Sequence, residues 1–144
     1  SLPVMSFARV QEPSMTPYRM TLATVFALAA TTATADPVLG MYKTQPGDDG
    51  NYGHVELYDC GGDICGVIRK AFNGSDTAME SDNIGKRMIW DMKPQGKGKY
   101  AKGKIWAPDR DKTYSSKMFL NGKTLKVSGC VFGICRAQTW TRVN

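Results

Sequence analysis

From Asp36 onward the sequence predicts an all-β fold, an eight-stranded antiparallel up-and-down β-barrel, and three observations predict it. Apolar and polar residues alternate with a period of two over eight short segments. Turn-forming residues punctuate the gaps between them. All gaps but one are of hairpin length, which leaves no room for the crossover helices that a parallel sheet would need. An eight-stranded meander can close on itself with space inside for side chains or one small ligand.

The 144-residue chain is 42% hydrophobic and carries 19 Lys and Arg against 13 Asp and Glu, a formal +6. This is the composition of one ordinary domain and excludes disordered and collagen-like classes. The average conceals two unlike pieces. Residues 1–35 hold no Gly, no Cys and three charges (Arg9, Glu12 and Arg19), whereas all 15 Gly and all 4 Cys follow Ala35. Residues 15–35 read as a secretory signal peptide, with Arg19 as the basic n-region, an apolar run from Met20 to Ala30, and Ala33-Thr34-Ala35 as the small-residue cleavage site. The run is shorter than the roughly 20 residues that span a bilayer. It is apolar on all sides, unlike the one-sided stripe of a core helix. Residues 1–14 are then an upstream extension or a remnant, and 36–144 form a single exported barrel domain, periplasmic or secreted, with no transmembrane segment once the signal is removed.

The segments are expected at 38–43, 53–59, 64–71, 86–93, 99–107, 112–120, 123–130 and 134–143. Pro46 to Gly50 separates the first two. Gly61-Gly62 lies within a four-residue loop at 61–64, and 72–85 is the one long link, able to hold a short helical turn and to act as a lid. Pro94 to Gly98, Pro108 to Asp111, Asn121-Gly122 and Gly133 mark the remaining turns. Asn121-Gly122 is the pair favoured by a type I′ hairpin.

Register assigns the faces. Pairing Leu120 with Lys123 puts Tyr114, Ser116, Met118, Leu125 and Val127 inside. A turn at 108–111 adds Ala101, Gly103, Ile105 and Ala107, and turns Lys102, Lys104 and Lys117 outward. Val55, Leu57 and Ile68 point inward, with Glu56 and Arg69 as an outer ion pair. Met88, Trp90 and Met92 take the inner face of the fourth strand. On the last strand Arg136, Gln138, Trp140 and Arg142 all point inward.

The cysteines sit at hairpin ends, so that Cys60 meets Cys65 and Cys130 meets Cys135, and the two hairpins lie at opposite barrel ends. Two disulfides in an exported chain follow. Four thiolates converging on zinc are excluded by the same topology. His54 is the only His and falls on the outer face, so no Ser-His-Asp or Cys-His constellation can be assembled. The turn acids Asp48, Asp49, Asp109 and Asp111 are explained by turn chemistry. No catalytic residue, metal site or cofactor is assigned, and the chain is read as a non-enzyme. Its lysines are interleaved singly, without the basic block of a nucleic-acid binder.

The informative residues are the polar ones facing inward. A buried guanidinium needs a partner, and Arg136 lies near Tyr114, Ser116 and Gln138, whereas Met88, Trp90, Met118 and Trp140 provide apolar surface. The expected ligand is a small amphiphilic or apolar molecule with an anionic or hydrogen-bonding head at Arg136, Gln138 and Tyr114. The rival reading is a structural or interaction module of the cell envelope, in which Arg136 pairs with Asp109 or Asp111 and the interior is filled.

Gly103-Lys104-Ile105-Trp106, Lys112-Thr113-Tyr114, residues 125–130 and the ending Gln138-Thr139-Trp140-Thr141-Arg142-Val143 resemble the exported bacterial proteins of domain-of-unknown-function family 2147, over nearly all of 38–143. The resemblance implies a calycin-like, lipocalin-type barrel without a settled activity. It also implies a barrel-closing cluster of Gly40, Tyr42 and Arg142, with Tyr42 standing where calycins have Trp and Arg142 packed over it.

Overall fold

The computed structural model describes residues 23–30 and 34–143. The chain divides into two units, Ser1–Ala33 and Thr34–Asn144. In the first, residues 23–30 form neither helix nor strand, and Val25, Phe26 and Leu28 are exposed. The expected n-region at Arg19 and the Ala33 of the cleavage site lie outside the described residues.

The second unit is a closed antiparallel barrel with no helix among the described residues. Its strands are β1 (Gly40–Lys43), β2 (Tyr52–Cys60), β3 (Asp63–Phe72), β4 (Ala78–Met79), β5 (Arg87–Gly96), β6 (Lys99–Ala107), β7 (Lys112–Asn121), β8 (Thr124–Val131) and β9 (Ile134–Arg142). The sheet runs β2-β1-β9-β8-β7-β6-β5-β3, and β2 pairing with β3 closes the ring of eight. The two-residue β4 lies on the outer end of β3, Ala71 opposite Met79. The long link therefore holds an extra strand pairing in place of the expected helical turn.

Alternation carries the core. Tyr42, Val55, Leu57, Ile64, Ile89, Met92, Leu125, Val127 and Trp140 are nearly or wholly buried, and each is flanked on its strand by more exposed neighbours or a tight Gly. The ion pair expected on the outer wall is present, with Arg69 Nε 2.9 Å from Glu56 Oε2. Both disulfides bridge within a hairpin, Cys60 to Cys65 and Cys130 to Cys135, with Cα separations of 5.8 and 4.1 Å.

Turn chemistry shifts three details from the sequence expectation. Leu120 pairs with Leu125 and Asn121 with Thr124, so the loop is Gly122-Lys123. Gly122 takes the positive φ of 61°, as a two-residue loop with Gly in its first position requires. A slip of two residues leaves every side chain on its expected face. At the second hairpin Cys60 faces Asp63 across Gly61-Gly62, because both glycines adopt positive φ (73° and 99°) and make a two-residue turn sufficient. A separate bulge between His54 and Val55 then sets His54 opposite Lys70 rather than Ala71.

The third detail changes faces. Asp91 and Lys102 adopt φ of 53° and 61° at matching points of β5 and β6, and the β6–β7 register slips between Tyr100 and Gly103. Such bulges re-aim the chain. Ile89 turns inward and Met92 keeps its expected inner place, while Trp90 pairs with Lys104 and shares its outer face. Tyr100, 4% exposed, takes the inner place expected for Ala101. Gly103 suits this close approach, because a Cβ would lie 3.0 Å from the Met92 Cα as well as 2.7 Å from its Cε.

Candidate functional site

The barrel is packed in one half and open in the other. Around Trp140 the interior is solid, with Met92, Leu125 and Trp140 fully buried and Met118 nearly so. The expected apolar half of a ligand chamber is thus ordinary core. Towards the β8–β9 turn the interior opens into a cavity of about 1470 Å³, with Val55, Ile68, Ile105 and Val127 among its apolar lining.

Of the residues expected to meet a ligand, Arg136, Gln138, Tyr114 and Met88 line this cavity. Four others do not. Trp90 is on the outer wall, beneath the Arg87 guanidinium at 4.9 Å. Met118 and Trp140 belong to the core, and Ser116 is buried between Gly103 and Gly129 with its hydroxyl unpartnered. Bulk explains the division. Large side chains such as Trp140, Met92 and Leu125 fill the packed half, whereas Arg136 and Gln138 border the open one. Trp140 does touch the site indirectly, its indole N–H donating to Gln138 Oε1 at 3.2 Å.

The inward cation is unneutralised. Among the described residues no carboxylate pairs with Arg136. The two acids expected to do so are engaged elsewhere: Asp111 accepts from Trp106 Nε1 at 2.8 Å, and Asp109 lies 3.9 Å from Arg110. Arg136 and Gln138 remain exposed, and Tyr114 half-buried, because the mouth admits solvent. Asp48 and Asp49 from the β1–β2 loop stand at the rim, as do Met79, Ser81 and Asn83 from the long link. No cluster of three or more His, Cys, Asp or Glu able to hold a metal occurs among the described residues.

The far end is shut by a different set of contacts. Arg142 donates from Nη1 to the Leu39 carbonyl at 2.9 Å and from Nη2 to the Pro37 carbonyl and to Tyr42 Oη, the last at 2.7 Å. Its guanidinium lies 5.0 Å from the Tyr42 ring centroid, and a Cβ at Gly40 would fall 2.8 Å from Arg142 Nη1. Tyr42 in turn donates to the Val38 carbonyl at 2.8 Å, and Tyr100 donates to Asp36. Residues 36–39 thus form a plug across the barrel end, with Val38 wholly buried.

Burial, and then the Asp36 carboxylate, push the Tyr100 phenol well above its ordinary value of about 10. A folded-state pKa above the unfolded one contributes stability below pH 10 that is lost as pH rises through the folded value. The melting temperature should therefore fall between about pH 9.5 and 11.5, and fall less steeply in Tyr100→Phe. Equal slopes for the two proteins would dismiss this assignment.

The family model described as "Uncharacterized protein conserved in bacteria (DUF2147)" matches residues 40–142. Among solved structures, the Helicobacter pylori protein HP1028, described as belonging to the lipocalin family, superposes with a TM-score of 0.61 at 19% identity, over 77% of this chain and 85% of its own. No curated protein matches. At 19% identity the likeness bears on the fold alone.

Proposed function

Because the chain belongs to this family of uncharacterized bacterial proteins, DUF2147, and folds as a lipocalin-like barrel, we propose that it is an exported binding protein, not an enzyme, for a small amphiphilic molecule. The observation that carries the proposal is Arg136, unpaired and solvent-accessible, on the wall of an open cavity of about 1470 Å³. That volume exceeds the roughly 300–1,000 Å³ of typical ligand pockets, part of it being the open mouth.

The polar head of the ligand would meet Arg136, Gln138 and Tyr114, and its apolar body would rest on Val55, Ile68, Met88 and Val127. An envelope module with a filled interior would not leave Arg136, Gln138 and Tyr114 lining an open cavity. Export by the 15–35 segment, cleaved before Asp36, agrees with two disulfides, which persist in oxidising compartments.

The test uses two fluorescent probes of similar bulk, anionic anilinonaphthalene sulfonate and neutral phenylnaphthylamine. Arg136→Glu should weaken the anionic probe by about ten-fold or more, the cost of losing one charge-assisted contact. The neutral probe should change by less than about two-fold, since apolar contact is untouched. Equal effects on both, or no binding of either, would refute the proposal. Native mass spectrometry of protein taken from its own envelope would then identify the carried molecule.

A further inference from the structure

At the cavity mouth the β8–β9 hairpin turns through Val131-Phe132-Gly133-Ile134. Phe132 is 100% exposed, Ile134 73% and Val131 42%, and no other large apolar side chain described from Thr34 onward exceeds 42%. We propose that this hairpin tip inserts into the interfacial region of a phospholipid bilayer.

The backbone first shows that Phe132 does not serve the fold. Phe132 and Gly133 form a two-residue turn with φ of 50° and 79°. Such turns favour Asn-Gly or Gly-Gly, and a bulky residue at positive φ is disfavoured. The ring packs on nothing in the chain, so it weakens the turn locally and gains no burial in return. An aromatic kept under those conditions points to a partner outside the chain.

The shape and extent of the tip then select the partner. Three apolar side chains on a narrow convex point offer far less than the roughly 800 Å² per partner of a stable protein interface. A fluid bilayer needs no preformed pocket and accepts a protruding Phe and Ile directly, their transfer from water being favourable. The disulfide between Cys130 and Cys135 closes the hairpin immediately behind the tip, so the point is presented already ordered. The surrounding mouth carries both signs, Arg110, Lys112 and Arg136 beside Asp109 and Asp111. That mixture matches zwitterionic headgroups better than a strongly anionic surface. Val131, Phe132 and Ile134 also border the cavity, so an apolar track runs from the chamber to the inserted tip. The docking itself does not depend on what the chamber holds.

The experiment uses the full chain with vesicles of phosphatidylcholine and phosphatidylethanolamine. In Phe132→Trp the new indole should shift to the blue on adding vesicles and be quenched by brominated acyl chains, beyond the response of the unsubstituted protein with its own Trp residues. Phe132→Asp combined with Ile134→Asp should lower vesicle partitioning by about ten-fold or more, with the barrel's melting temperature preserved. Phe132→Asn should melt at a higher temperature and partition less. An unshifted, unquenched indole overturns the proposal. So does partitioning unchanged in the double variant, or a concentration-dependent dimer that the double variant abolishes, which would seat the tip in a second copy.

Discussion

Replacing Arg142 by Ala is expected to destabilise the barrel by about 3–5 kcal/mol, the range of losing a charged hydrogen-bonding hub that serves several acceptors. Its guanidinium serves the Pro37 and Leu39 carbonyls and the Tyr42 phenol oxygen, and caps the Tyr42 ring. Truncation removes all four contacts together and unpins the plug at residues 36–39. For a domain of this size the loss corresponds to a fall of roughly 12–20 °C in melting temperature. Arg142→Lys should recover only part of it, because one ammonium cannot reproduce a planar fork reaching separate acceptors. Thermal melts followed by far-UV circular dichroism measure both. A loss below about 1 kcal/mol in Arg142→Ala would mean that the plug holds without its clasp.

Trp140→Ala should cost a similar amount, about 3–5 kcal/mol, for a different reason: it empties a fully buried volume in the packed half. The surrounding strands are tied on both sides, β9 to β8 and β1, so collapse into the void is restricted. The two kinds of loss can be told apart at the mouth. Probe binding by the folded fraction should survive in Trp140→Ala with less than about a three-fold change, because only the Gln138 amide loses a donor. A variant that kept its stability and lost the probe would return Trp140 to the ligand site.

Strand number, connectivity and the facing of most side chains were legible in the sequence because they depend on local chemistry. Period-two alternation fixed the inner rows of β7, β8 and β9, and the cysteine spacing fixed the Cys130–Cys135 register. Slips of two residues at the Gly61-Gly62 and Gly122-Lys123 turns preserved the faces, since pleat parity repeats every two residues. The bulges at Asp91 and Lys102 were not legible. Lys gives no sign of a positive φ, and Asp, which tolerates one, signals it in turns and not in the middle of a strand. Their consequence was to exchange Trp90 for Ile89 and Ala101 for Tyr100.

The candidate site was half legible for a related reason. Alternation says which way a side chain points, not whether the space before it is occupied. Arg136 and Trp140 share one face of β9, yet one borders an open chamber and the other is solid core. That difference depends on what seven other strands place opposite them. At the tip the sequence signals only the turn, through Gly133; that Phe132 before it stands free of the core depends on how far the hairpin projects.

The plug has a kinetic meaning as well as a mechanical one. β1 is only four residues long and is held on one side by two pairings to β9, the last strand to leave a ribosome or a translocation channel. Its clasp, Arg142, is the final residue of that strand. Strands from β2 to β8 can pair with a sequence neighbour as they emerge, whereas ring closure must wait for a contact spanning about a hundred residues, the slow kind in folding. During that wait β1 and β9 are open edges, and the plug residues have nothing to cap. Time spent in that half-closed ring, rather than the stability of the finished one, is where this chain is most open to mispairing with a neighbour.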